Sequence, residues 1–424
     1  MENVTHTLLG IALGHVIAGR LPRASRKHLT NAVLVTSVLA NNAPDLDVVL
    51  PSVLGGGQLG YLLQHRGYTH TLLAAPLLGL LAAAISFLVF RKNLGSWRER
   101  LCLIGTGLLG VCLHLLADSW NDYGVHPFWP LDPQWYFGGT IFIVEPLIWF
   151  ALIPLAVDVL GSWLYRGIFS VLWLCMFGMV WLKNLIPWQI SIFLTVLALL
   201  MVFVQRRFRG QAFTGGLIVC TFMAVNSFCW SLARARVLEA FTRQRPTEHL
   251  TDLSLTPAPS NPACWRVVTA SVEPNQKGGP EYRARVGMVS LLPEVFDPQT
   301  CFLGPQSGQT RAMPTRLLSF TSNAEIHWEA EYHEDIGKLW RIAQENCRFH
   351  AYFRWVRFPF LAKIGDEILA GDARYDRGRN SVFALIGLDP KLGCPSFLPS
   401  WDEPFWRRIR ERPGQKPLEG KAFQ

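Results

Sequence analysis

The stretch Leu101-Cys102-Leu103-Ile104-Gly105-Thr106-Gly107-Leu108-Leu109-Gly110-Val111-Cys112-Leu113-His114-Leu115-Leu116-Ala117-Asp118-Ser119 decides the fold. It is apolar almost throughout and holds no Lys or Arg. That suits a bilayer-crossing helix, which needs roughly 20 mostly apolar residues. Near its end stand a histidine and an aspartate four residues apart, on one helical face. Ionisable groups in or beside a bilayer are costly and are kept where they have a task. Gly107 and Gly110 continue the same face, and small residues let neighbouring helices approach closely. The face should look into a helix bundle and should bring a polar site with it.

The same pattern recurs on either side. The chain has 424 residues, 50% hydrophobic, with a mean hydropathy of +0.21. That mean averages two unlike parts. Long apolar runs alternate with short polar loops up to Ala233, and the remainder is mixed, charged and Pro-rich. The runs lie at 4–19, 29–43, 71–90, 101–119, 140–160, 165–186, 188–204 and 213–233. They predict an α-helical polytopic membrane domain of about eight spans over 1–233. The basic residues near the start follow the first run rather than precede it, so the run does not read as a cleaved signal peptide and is expected to be retained.

Net charge is +9 and the pI about 9.2. Much of the positive charge lies in short loops, where it sets topology rather than binding nucleic acid. Arg20, Arg23, Arg26 and Lys27 follow the first run; Arg91, Lys92, Arg98 and Arg100 follow the third. Arg166 follows the fifth, and Arg206, Arg207 and Arg209 the seventh. The stretch 120–139 has neither Lys nor Arg. By the positive-inside rule the basic loops lie in the cytoplasm, and the N-terminus and the C-terminal part are expected outside it.

That assignment uses Lys and Arg alone, yet it gathers the histidines and acids. His6, Asp45 and Asp47, His65 and His70, and His114 and Asp118 all fall at the outer ends of their runs. Imidazole with carboxylate is the donor set of a zinc-type or other divalent-metal site. His6, Asp45, Asp47, His70, His114 and Asp118 are the expected ligands of one or more ions, zinc first. His65 is open to three roles: ligand, acid for a leaving group, or a group behind the ligands. Asp122 is a spare carboxylate placed to accept a proton. Arg66 could grip a phosphate or carboxylate, or pair with Asp45 or Asp47. For Asp45 and Asp47 the plain alternative is a solvated helix end. His15 is half a turn out of phase with His6 and reads as a packing residue.

These elements resemble the YdjM-type family of membrane-bound metal-dependent hydrolases. The matching residues are His6, Pro44-Asp45-Leu46-Asp47, His65-Arg66-Gly67-Tyr68-Thr69-His70, His114-Leu115-Leu116-Ala117-Asp118, Tyr123-Gly124 and Pro127-Phe128-Trp129-Pro130. The resemblance covers about residues 1–150. It implies kinship with zinc-dependent phospholipases C and single-strand nucleases, and hence metal-assisted phosphoester hydrolysis. An outward-facing site at the membrane surface suits a phospholipid or a lipid-linked phosphate.

Rival chemistries lack their residues. There is no His-Glu-x-x-His, no Pro-Ser-Gly-His and no Gly-x-Ser-x-Gly. A metal- or proton-coupled transporter is the main alternative, since intramembrane His and Asp also build ion paths. The clusters stay at one face, whereas a path would place partners through the full depth.

Beyond 233 the sequence reads as a linker over 234–262, a small soluble α+β domain of mainly antiparallel strands over 263–400, and a Pro-rich basic end over 401–424 expected to be partly disordered. Strands are predicted at 283–292, 324–333, 349–358 and 367–375, with a helix at 335–347. His327, His333 and His350 have no metal-ligand spacing. Cys264, Cys301, Cys347 and Cys394 could form two disulfides in an oxidising compartment or stay as buried thiols.

Overall fold

The computed structural model describes residues 1–182, 186–207, 211–275, 279–301, 311–376 and 383–410. Helices α1 (Asn3–Arg20) and α2 (Arg23–Asn42) lead into a 3-10 turn at Pro44–Val49 and the short α3 (Leu50–Leu54) and α4 (Gly57–Gln64). A second 3-10 turn at Tyr68–His70 precedes α5 (Ala75–Phe90) and α6 (Trp97–Ser119). After a loop come α7 (Pro146–Val159), α8 (Trp163–Leu182), α9 (Trp188–Arg207) and α10 (Gln211–Gln244). Ser96 and Glu99 form a capping box that starts α6, satisfying backbone N–H groups that have no helical partner. Against α6 lie α1, α2 and α5.

The expectation of about eight spans does not hold. Among the described residues three helices are long and apolar enough to cross a bilayer: α6, α8 and the stretch Phe213–Gln244 of α10. A fourth is reached if Gly57–His70 and α5, bent by 79°, count as one broken span. Helix α7 shows why composition misled. Its 14 residues reach roughly 21 Å at 1.5 Å each, short of a hydrocarbon core of about 30 Å. Its residues from Pro146 to Ala156 are all buried, so its apolar surface fills the protein interior. Helix α2 opens on Arg23, Arg26 and Lys27, and α1 carries Thr5, His6, Thr7 and His15. By contrast α8 fully buries only Phe169, Met176 and Val180, packs Leu172, Trp173 and Phe177 in part, and leaves much of its length exposed.

The stretch 234–262 is not a linker. It holds the end of α10 and all of β1 (His249–Ala258), which forms an antiparallel sheet in the order β1-β2-β3-β4 with β2 (Asn261–Asn275), β3 (Gly279–Ser290) and β4 (Ile326–Asp335). A tight turn at Pro259 and Ser260 joins the first two strands. Then follow α11 (Ile336–Glu345), α12 (Cys347–Tyr352) and a small sheet of β5 (Pro359–Ile364), β6 (Glu367–Asp372) and β7 (Ile386–Gly387). The strand expected at 349–358 is instead α12 and a turn, because Asn346 caps a helix there by accepting from the Phe349 N–H at 3.0 Å. Of the end expected to be disordered, residues 404–410 form α13 (Pro404–Arg410) beside the fully buried Trp401, and 411–424 lie outside the described residues.

One face of the large sheet packs on α10, through Ala233, Val237 and Phe241 against Trp265 and Trp328. Its other face shares a core with Leu59, Leu62 and Leu63 of α4 and with Tyr123 and Trp135 of the α6–α7 loop. The tail is thereby packed onto the segments that carry the polar clusters. Cys264 pairs with Cys301 and Cys347 with Cys394. His333 sits 2.7 Å from Glu331, and none of His327, His333 and His350 joins a metal-type cluster among the described residues.

Candidate metal centre

Helix α6 presents His114 and Asp118 one turn apart, both with fully buried side chains. Helix α1 adds His6, whose ring stacks on that of His114 with centroids 3.8 Å apart. Pro44 starts the 3-10 turn that buries Asp45 and Asp47, while Leu46 between them and Val48 after them are exposed. Arg66 adopts a left-handed backbone, φ 58°, so the chain reverses between His65 and His70. Both of those rings then reach Asp47: His65 Nδ1 at 3.0 Å and His70 Nδ1 at 3.1 Å.

The centre of the cluster is built on ring nitrogens. His114 Nδ1 lies 2.7 Å from the Asn41 carbonyl oxygen, which only accepts, so Nδ1 bears a proton and Nε2 is the nitrogen turned into the cluster. His70 Nδ1 is turned to the Asp47 carboxylate, which leaves its Nε2 facing the cluster too. The two Nε2 atoms are 3.0 Å apart. His70 Nε2 is also 3.4 Å from Asp45 and 3.3 Å from Asp118. His6 Nε2 is 3.3 Å from Asp118 and 4.0 Å from Asp45.

One donor atom each from Asp45, His70, His114 and Asp118 falls within 4.8 Å of the others, and Asp45, Asp47 and His65 make a second such group. Both His6 nitrogens, both Asp45 oxygens and Asp118 Oδ2 make no hydrogen bond. Buried polar atoms left so are costly, and a bound cation would satisfy them together. The donor set, imidazole with carboxylate, fits a divalent cation.

Asp47 differs from Asp45. It accepts from Thr69 Oγ1 at 2.9 Å and from the Gly67 N–H at 3.3 Å, besides its two imidazoles. Burial pushes its carboxyl up, but His70 and His65 outweigh that and hold it below the usual carboxylate range. His65 alone in the cluster is partly exposed, its side chain 12% open, which puts it at the mouth.

The structure brings together His6, Asp45, Asp47, His65, His70, His114 and Asp118. Arg66 joins them but pairs with neither Asp45 nor Asp47. Its guanidinium donates to Asp118 at 2.8 Å and to Asn121 Oδ1 at 2.7 Å, and stands over the Tyr123 ring at 4.9 Å. Asp122 is not placed to serve as the cluster's base. Its carboxylate accepts from Ser254 at 2.7 Å, Thr256 at 3.2 Å and Arg357 at 3.3 Å, all from the tail. The α-amino group of Met1 pairs with Asp118. Asn41 and Asn121 were not singled out in sequence as site residues. Asn41 acts through its backbone carbonyl, which leaves no signal in a sequence.

Histidines and aspartates converging in a buried pocket at the end of an apolar helix define a membrane protein with a candidate metal centre. Residues 1–209, just under half of the 424, match the YdjM inner membrane protein family. The chain is also similar to the uncharacterized protein YfhP of Bacillus subtilis (strain 168), 29% identical over 152 residues. That alignment covers 35% of this chain and 43% of the relative, so the chain matches under half of the relative's length. No solved structure matches the chain.

Proposed function

We propose that this protein is a metal-dependent hydrolase of a phosphoester, acting on a phospholipid or lipid-linked phosphate at the outer face of the inner membrane. The observation that carries this reading is the pair of Nε2 atoms, of His70 and His114, 3.0 Å apart and turned onto one point between Asp45 and Asp118. A divalent ion, zinc by this donor set, would supply there a water acidified toward neutrality and positive charge for phosphoryl oxygens. His70, His114, Asp45 and Asp118 would hold it, with His6 beside them. Asp47 fixes the His70 ring in the tautomer that frees Nε2. His65, tethered to Asp47 through Nδ1 and open at the mouth, is the group able to hand a proton to a leaving oxygen at Nε2. Arg66 orients Asp118 and, so committed, is a positioning residue rather than a phosphate clamp.

The test is metal analysis of the purified protein, with phosphate release measured on a panel of phospholipids and polyprenyl phosphates. The expected result is stoichiometric metal and chelator-sensitive hydrolysis. A folded protein free of metal would overturn the reading, as would metal-coupled flux in vesicles with no hydrolysis.

A further inference from the structure

A groove of about 230 Å3 opens where the α6–α7 loop meets the tail. Its walls are Ile141, Phe142 and Ile143 from the loop and Tyr375 and Phe383 from the tail. The polar residues along it are occupied with one another. Thr256 donates to the Asp122 carboxylate, and Arg374 donates to the Asp122 carbonyl oxygen at 2.6 Å and to both oxygens of Asp372. The groove thus offers apolar and aromatic surface, with its charges already paired. Ligand pockets for compact molecules usually span about 300–1,000 Å3, so this one suits a slender apolar group.

Two links tie the groove to the metal centre. Asn121 lines it and also accepts from Arg66, whose guanidinium holds Asp118. Tyr123 lines it and carries the same guanidinium over its ring. The Arg66 guanidinium thus touches both the groove residues and the candidate ligand Asp118. Its open side is apolar, since Ile143 is 42% exposed, and the same loop also exposes Phe128 and Leu131. A bilayer supplies one slender apolar group above all others.

We propose that the groove takes the acyl chain of a phospholipid whose phosphoester lies at the metal centre. This rests on the hydrolase reading above and narrows its substrate to an acyl-chain phospholipid rather than a polyprenyl phosphate. The protein would be placed in phosphatidylglycerol vesicles doped with phosphatidylglycerol carrying a diazirine near one acyl terminus, then irradiated and mapped by mass spectrometry. Adducts are expected on Tyr375 and Phe383 as well as on lipid-facing α8. In Ile143→Trp, which fills the groove, the tail adducts should be lost while α8 labelling and metal content stay at wild-type levels. Ile143→Ala should keep the tail adducts. Wild-type labelling confined to α8 and its like would overturn the proposal even if Ile143→Trp did not fold. So would tail labelling by a diazirine polyprenyl phosphate and not by the acyl probe. Tail adducts without hydrolysis of any phospholipid would leave the groove standing and sink the hydrolase reading alone.

Discussion

His114 Nε2 lies 3.0 Å from His70 Nε2, although 44 residues separate them in sequence. Each ring is fixed from behind, His114 by the Asn41 carbonyl and His70 by Asp47. Two ring nitrogens held this close repel unless a cation or a shared proton lies between them. His114→Ala should therefore abolish stoichiometric metal in the purified protein. Asp47→Asn removes a carboxylate that orients the His70 and His65 rings from behind, and such changes cost about 10–100-fold in affinity. Titration against a competing chelator should find that intermediate loss. Equal loss in both variants would move Asp47 in among the direct ligands.

Glu145 predicts a pH dependence. It caps α7, is fully buried, and accepts from the Leu147 N–H at 3.2 Å and from the backbone and hydroxyl of Ser260. Burial pushes its carboxyl from 4.5 up to about 7, with the Ser260 and Leu147 bonds opposing. The folded state binds the proton more tightly than the unfolded one. Stability is therefore greatest below 4.5 and falls as pH rises toward about 7. The loss is on the order of 3 kcal/mol at 1.36 kcal/mol per unit. Melting temperature in detergent should drop from pH 5 to pH 8 in the wild type and stay nearly flat in Glu145→Gln. A wild-type profile as flat as the variant's would contradict this assignment.

What was legible in the sequence, and what was not, follows from which signals are local. His114 and Asp118 share a face by spacing alone, and topology from Lys and Arg brought the other clusters to the same end. Asp122 looked like a spare carboxylate because its partners, Ser254, Thr256 and Arg357, lie more than a hundred residues away. Strand β1 was hidden by Pro257 and Pro259, yet β1 is an edge strand, where a missing N–H is tolerated. Helix α7 was read as a span because an apolar segment looks the same whether lipid or protein surrounds it.

The cysteine pairs bear on the side of the membrane. With Cys264 bonded to Cys301 and Cys347 to Cys394, four of the nine cysteines should resist alkylation until reduced. Loops of 37 and 47 residues predict roughly 4 kcal/mol of stabilisation from each bond. Reductant should then lower the melting temperature of the tail. The same oxidising side should be reached by a membrane-impermeant maleimide at Asp132→Cys, and not at Ser96→Cys. Labelling of position 96 from outside intact cells would reverse the topology.

Helix α6 meets α5 backbone to backbone, and this contact positions His114. A Cβ on Gly107 would come 2.2 Å from the Gly79 carbonyl oxygen, so any side chain there must drive the helices apart. Gly105, two residues earlier, has open space around it. Gly105→Ala should be neutral or gain up to about 1 kcal/mol from helix propensity. Gly107→Ala should lose about 1–3 kcal/mol through overpacking. His114 lies seven residues further along the same rigid helix, so the displacement should carry to the ligands. Metal affinity should fall in Gly107→Ala and hold in Gly105→Ala, both measured beside melting temperature. If Gly107→Ala binds metal as the wild type does, the α5 contact holds the fold without setting the geometry of the site.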